Sequence, residues 1–333
     1  VQYRFLGNTG LKVSELVLGT QTFGWGADEK TAHAMADLFV EAGGNLFDTA
    51  DSYNNGVAES MLGSWLKARE NRHSVIIATK VFFPTGDGPN DTGASRKHIF
   101  QSINESLRRL KTDYVDLYQV HCFDISTPLE ETLGAMDDLL RAGKIRYMGA
   151  SNYTASQLQK ALMLSKIHGW ESFRSLQAEY SLIVRSSEWE LLPLCREEGL
   201  GFLAWSPIAG GWLAGKYRRN QSPPSNSRVG RKDRWDDQPE QRESELTWRV
   251  VDNLIEIGKD RGKTPAQVAL NWILQQPGVT APILGTRTLE QLKENLGCTG
   301  WQLSEEEMNK LKTASDIPLP YPYRFIERYT RRR

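Results

Sequence analysis

Short apolar runs rich in Val, Ile and Leu alternate along this chain with longer stretches whose apolar residues recur at helical spacing. The runs predict strands at Leu16 to Leu18, Asn45 to Asp48, Val75 to Thr79, Val115 to Val120, Arg146 to Gly149, Ser175 to Ala178, Phe202 to Trp205 and Ala281 to Leu284. Helices are predicted between them at 29–42, 58–69, 95–110, 128–142, 154–168, 187–198 and 245–276, with another at 288–296. The 245–276 block is expected to split near Gly262, because Thr264-Pro265 supplies a fresh N-cap and a proline at the first helical position. Eight strand–helix units imply parallel βαβ connections and an α/β chain closed as a (β/α)8 TIM barrel. An open doubly wound sheet is the alternative on pattern alone. Tyr3 to Gly7 and Leu11 to Glu15, around Asn8-Thr9-Gly10, predict an N-terminal β-hairpin ahead of the barrel.

Three segments depart from the rhythm. Residues 217–244, rich in Arg, Ser, Asn, Pro and Asp, predict a long loop after strand seven, on the face where barrel enzymes place their sites. Ser304-Glu305-Glu306-Glu307 starts an extra C-terminal helix with a capping box, reaching Ala314. The tail beyond it, Ile317 to Tyr323, is aromatic and proline-rich and predicts no element. The whole chain, 1–333, is expected to be one barrel domain.

Composition narrows the partners. The 41 Lys plus Arg balance 41 Asp plus Glu, which gives no reason to expect nucleic acid or an anionic membrane surface. The basic run Arg331-Arg332-Arg333 reads as a solvated tail. Cys122, Cys195 and Cys298 are too few and scattered for a disulfide framework and fit a reducing compartment. No stretch has a transmembrane length, and Val1-Gln2-Tyr3-Arg4 lacks the apolar core of a signal peptide, so a cytoplasmic protein is expected. Nothing in the sequence sets the oligomeric state.

The strand ends carry the candidate chemistry. Asp48, Lys80 and His121 close strands two, three and four, and Tyr53 lies one loop beyond Asp48. Adjacent parallel strands lie about 4.8 Å apart, so the side chains have the reach to converge. A strand leaving the core commonly ends in a polar residue, which explains any one of them. The set on consecutive strands suggests more. A tyrosine beside an ammonium is acidified, a carboxylate holds that ammonium, and a histidine orients a carbonyl. This is the apparatus for protonating an alkoxide during carbonyl reduction. The chain has no redox centre, so the hydride is expected from a nicotinamide, with a small carbonyl or alcohol as partner.

Other chemistries fit less well. The five histidines have no ligand spacing, and no metal is expected. Gly210 to Lys216 matches part of a P-loop, but Tyr217 stands where Ser or Thr holds magnesium. Gly210 and Gly211 still let backbone approach a ligand, and Lys216 suits a phosphate. No Gly-x-Gly-x-x-Gly follows an early strand, so a Rossmann domain is not expected.

Taken in order, these motifs resemble the aldo-keto reductase family. Leu6-Gly7-x-Thr9-Gly10-Leu11 resembles its opening hairpin. Asp48-Thr49-Ala50-x-x-Tyr53 with Glu59-x-x-Leu62-Gly63 is similar to its tyrosine motif, and Asp113-Tyr114-x-Asp116-Leu117-Tyr118-x-x-His121 to its histidine motif. The likeness runs from about residue 3 to 315 and is greatest to the branch holding potassium-channel β subunits and bacterial sugar- and aldehyde-reducing relatives. It implies NADP(H) in an extended pose across the barrel mouth. Ser151, Asn152 and Gln177 would meet the nicotinamide amide, and Trp205 would stack on its ring. Ser206, Pro207, Ile208, Ala209, Gly210 and Lys216 would follow the pyrophosphate. Gly285, Thr286, Arg287, Gln291, Glu294 and Asn295 would meet the adenosine end, with Arg228 adding charge. Many members carry Lys at the place of Gly285 and Arg at that of Gln291, which leaves NAD(H) possible. Ser151 and Asn152 also suit a plain helix cap, and Trp205 plain packing. Phe23, Trp25, Phe82 and Phe123 are the expected apolar walls of a substrate pocket, with packing under loops as their other job. The resemblance implies reversible carbonyl reduction. A regulatory NADP-binding subunit and an unrelated barrel lyase or isomerase are the other readings.

Overall fold

The computed structural model describes residues 1–219, 221, 222, 224, 225, 227, 230 and 242–330. Arg228, Arg331 to Arg333 and much of the 217–244 stretch lie outside them. A two-stranded antiparallel hairpin, β1 (Tyr3–Phe5) and β2 (Lys12–Ser14), precedes eight parallel strands that close into a barrel in sequence order. The barrel strands are β3 (Val17–Gly19), β4 (Leu46–Asp48), β5 (Ile76–Val81), β6 (Val115–Val120), β7 (Ile145–Ser151), β8 (Phe173–Glu179), β9 (Gly201–Trp205) and β10 (Val279–Gly285), with β10 pairing back onto β3. The predicted fold is therefore present, and the open sheet is excluded. All eight predicted strands appear, several longer than predicted.

Helices α1 (Glu29–Glu41), α2 (Val57–Arg69), α3 (Arg96–Leu110), α4 (Leu129–Arg141), α5 (Ala155–His168), α6 (Leu191–Glu197), α7 (Glu245–Arg261), α8 (Pro265–Leu274) and α9 (Leu289–Leu296) link or follow the strands. The split at Gly262 occurs as predicted: Gly262 ends α7 at φ +62°, and Thr264 opens α8 with a full capping box ahead of Pro265. The extra helix α10 (Glu305–Ala314) follows, capped by Ser304 and Glu307. The tail holds one element the sequence pattern does not predict, helix α11 (Tyr323–Thr330).

One periodicity positions the site. Val17, Leu46, Ile76, Ala78, Leu117, Leu203, Ala281 and Ile283 fill the barrel interior together with Leu6 and Val13 of the hairpin, which plugs its lower end. Side chains alternate along a strand, so residues two apart share a face. Continuing the interior phase upward gives Asp48 on β4, Lys80 on β5, Gln119 on β6 and His121 just beyond it, Gly149 and Ser151 on β7, Gln177 on β8 and Trp205 on β9. The interior thus changes from aliphatic to polar toward the C-terminal mouth, where barrels carry their chemistry.

Candidate active site

The Lys80 side chain is fully buried inside the barrel. Its ammonium donates to Asp48 Oδ2 at 2.6 Å, to the Thr49 carbonyl at 2.9 Å and to Tyr53 Oη at 3.1 Å. An ammonium has three N–H bonds and no acceptor. All three are therefore spent, and Tyr53 must accept from Lys80. The phenolic hydrogen of Tyr53 is left to give to something else.

The local chain makes this possible. After Asp48 the Asp51 amide bonds back to the Lys80 carbonyl at 3.2 Å, folding the loop over β5. Asn54 and Asn55 then take left-handed conformations at φ +49° and +52°, a turn asparagine tolerates, and bring Tyr53 over the barrel mouth. Helix α2 follows and packs on α3 through Gly63, where a Cβ would lie 2.1 Å from the Arg109 carbonyl.

His121 is 8% exposed, 5.8 Å from the Tyr53 ring between centroids, and its Nδ1 has no hydrogen-bond partner. Burial, then the Lys80 charge, hold its pKa well below 6.5, so it is neutral at pH 7. Burial raises the Tyr53 pKa; Lys80 opposes this and Asp48 adds to it. The sequence reading expects a net acidified phenol, and here desolvation outweighs the ammonium, so the hydroxyl stays protonated at neutral pH. Burial also works against the Lys80 ammonium, but Asp48 and Tyr53 outweigh it and its pKa is raised.

The residues expected to hold a dinucleotide line the rim from β7 to β10. Ser151 and Gln177 are buried in the interior phase. Asn152 donates from Nδ2 to the His121 carbonyl at 2.9 Å and accepts from the Trp205 indole at 3.1 Å. Asn152, Ser206 and Ala209 hold φ of +55°, +55° and +49°, followed by left-handed Gly210 and Gly211. Strained non-glycine backbone gathers where a ligand is held, and this run turns along the stretch expected to follow a pyrophosphate. Pro207 is buried, Ile208 half-buried, and Lys216 exposed beside Tyr217. Ala209 to Ala214 form 3-10 turns, and the described residues directly after them, Gly215 to Arg219, are not helical. Gly285 is exposed with open space beside it, and Thr286 is buried. Gln291 accepts from the Arg287 amide at 3.0 Å, while Asn295 is buried and Glu294 exposed on α9.

The aromatic residues divide. Trp25, Phe82 and Phe123 are half-buried at loops above the strands. Phe23 is 1% exposed within the core, so it packs beneath its loop and gives no open pocket wall. Phe83, which the sequence reading misses, is 39% exposed and 4.7 Å from the His121 ring. Its only sequence signal is its place beside Phe82 just beyond β5.

A second buried cluster lies under Tyr53. Asp51 is 1% exposed; Ser102 donates to its Oδ2, and Oδ1 has no partner. Glu59 accepts from Thr79 at 2.6 Å and from Arg109 at 2.7 Å. One guanidinium thus serves two carboxylates, and burial followed by Glu59 pushes the Asp51 pKa up to about 7, against Ser102 and Arg109. A carboxyl raised in the folded state contributes stability that is complete below about pH 4 and lost as pH rises through about 7. Asp51→Asn is therefore expected to be more stable than the parent at pH 8, by on the order of 3 kcal/mol, and to match it near pH 4. Urea midpoints at both pH values check this; an equal gap at each would contradict it.

The Aldo/keto reductase family profile matches residues 15–316. The uncharacterised oxidoreductase YrpG of Bacillus subtilis (strain 168) is 38% identical across 93% of this chain and 95% of its own length. The Protein tas of Escherichia coli (strain K12) is 35% identical across 95% and 98%. A probable voltage-gated potassium channel subunit beta of rice, Oryza sativa subsp. japonica, is 38% identical across 89% and 90%.

Proposed function

The chain belongs to the aldo/keto reductase family of oxidoreductases, and from that premise we propose that it reduces aldehydes or ketones with NADPH and oxidises the alcohols in reverse. The observation that carries this is the spent ammonium of Lys80, which leaves the Tyr53 proton free to be donated.

Bound NADPH would supply the hydride. Ser151, Asn152 and Gln177 would hold its carboxamide, Trp205 its ring face, Ser206 to Gly210 with Lys216 its pyrophosphate, and Thr286, Arg287, Gln291 and Asn295 its adenosine end. The left-handed backbone at Asn152, Ser206 and Ala209 suits such a ligand. Lys216 and Arg287 favour NADPH over NADH.

Tyr53 hydrogen-bonds the carbonyl oxygen and gives it a proton as negative charge builds there. Lys80 remains on the phenolic oxygen and stabilises the anion left behind, while Asp48 keeps Lys80 charged. Neutral His121 donates a second hydrogen bond to the same oxygen and fixes its direction. Phe83, Phe82, Phe123 and Trp25 form an apolar wall that favours aromatic or other apolar carbonyls. In this reading residues 1–333 are one barrel domain.

The rice relative favours a second reading, a cofactor-binding subunit that modulates a partner. The two separate in one assay. NADPH oxidation followed at 340 nm with a panel of aldehydes and ketones is expected to show sustained turnover, fastest with aromatic aldehydes and faster with NADPH than NADH. A single slow turnover followed by arrest would favour the binding subunit.

A further inference from the structure

Gln119 stands in the interior phase of β6 with no place in the mechanism above. It is fully buried. It pairs in register with Lys80 on one side and with Gly149 on the other. Its Nε2 lies 3.3 Å from Asp48 Oδ1, and its Oε1 accepts from Gln177 Nε2 at 3.4 Å. Gln177 also donates to Asp48 Oδ1, at 2.8 Å. A Cβ on Gly149 would meet Gln119 Cγ at 2.9 Å, so the glycine opposite leaves the space this side chain occupies.

We propose that Gln119 is a positioning residue which holds the outer oxygen of Asp48 and thereby sets how the Lys80 ammonium is shared between Asp48 and Tyr53. The proposal rests on the reductase reading for its consequence, though not for its geometry.

Asp48 has two oxygens and divided duties. Oδ2 takes the Lys80 ammonium, and Oδ1 takes the two amides. Hydrogen bonds to a carboxylate draw off part of its charge and lower its basicity. Without the Gln119 amide more of that charge bears on Lys80, and Lys80 stabilises the Tyr53 phenolate less. Gln177 is also the residue proposed to meet the nicotinamide amide, so its donor is contested when cofactor binds. Gln119 has no such second duty, and it keeps Oδ1 occupied. The charged and titratable groups around Tyr53 are Lys80 on β5, Asp48 on β4 and Asp51 in the loop. Lys80 also bears on neutral His121, just beyond β6. Gln119 changes only how the first two share charge.

The test uses Gln119→Met, which keeps length and removes the amide, and Gln119→Glu, which regains a donor only when protonated. Tyr53 ionisation is followed in the cofactor-free protein by tyrosinate absorbance, with the Tyr53→Phe protein subtracted. In the Met variant, Tyr53 is expected to titrate about one pH unit higher than in the parent. The alkaline limb of carbonyl reduction moves up with it, the plateau falls a few-fold, and the NADPH Kd stays within about threefold. The Glu variant is expected to approach the parent rate at low pH and fall away as its carboxyl ionises. Superposed Tyr53 titrations for parent and Met variant would overturn the proposal, as would an equal loss of rate at every pH with weakened NADPH binding. If no carbonyl is reduced by the parent, the reductase reading fails while the absorbance titration still decides the role of Gln119.

Discussion

Tyr53→Phe is expected to lower carbonyl reduction by about 10²–10⁴-fold, the usual contribution of a placed proton donor. The fall should appear in kcat and kcat/KM together, because the proton is transferred only as the alkoxide forms. Phenylalanine keeps the ring that meets His121 at 5.8 Å and removes only the hydroxyl that accepts from Lys80. Cofactor affinity should therefore hold within a few-fold, measured by quenching of tryptophan fluorescence on titration with NADPH. A variant with near-parental turnover would move the proton donor elsewhere. One that also fails to bind NADPH would show that the phenol supports the groove and not the reaction.

The second large effect concerns stability. Asp48→Asn keeps the shape of the site and replaces the carboxylate beside the fully buried Lys80 ammonium with a neutral amide. Removing one partner of a buried pair costs about 3–5 kcal/mol, because the remaining charge is uncompensated. The deficit should depend on pH with a definite sign. In the parent the folded-state pKa of Lys80 is raised, chiefly by Asp48 against burial. In the variant burial acts unopposed by a carboxylate and the pKa falls below its unfolded value, so stability returns as pH rises and the amine is neutralised. Urea unfolding at pH 7 and pH 9.5 is expected to show a smaller gap from the parent at the higher pH. A constant gap would mean that Asp48 contributes packing and not charge.

The barrel was legible because its strands are covered on both faces and read as continuous apolar runs. The residues at which those runs turn polar, Asp48, Lys80 and His121, mark the mouth for the same reason. The break at Gly262 was legible because glycine, threonine and proline each state a local backbone requirement. Helix α11 was not, since Pro318, Pro320 and Pro322 read as a stop and its helical pattern covers only the eight residues Tyr323–Thr330. Phe23 read as a pocket residue because the pattern places it after β3, but pattern carries no depth, and its 1% exposure is a property of the folded loop. Gln119 and Asp51 escaped notice for a related reason. A glutamine within an apolar strand and an aspartate in a loop are ordinary letters. Their meaning lies in the partners they find at 3.3 Å on Asp48 and under Tyr53 on Ser102. The desolvation that raises the Tyr53 pKa likewise belongs to the packed barrel and to no local motif.

In the proposed reaction the Tyr53 hydroxyl, backed by Lys80, would face the reacting end of a dinucleotide laid along the rim from Ser151 to Asn295. A crystal structure with NADP bound tests it most directly. The expected result has the nicotinamide face against Trp205, its carboxamide on Ser151, Asn152 and Gln177, and its reactive carbon opening onto a space within about 3–3.5 Å of which the Tyr53 hydroxyl can also reach a carbonyl. A cofactor seated away from that rim, or a nicotinamide turned from Tyr53, would contradict it.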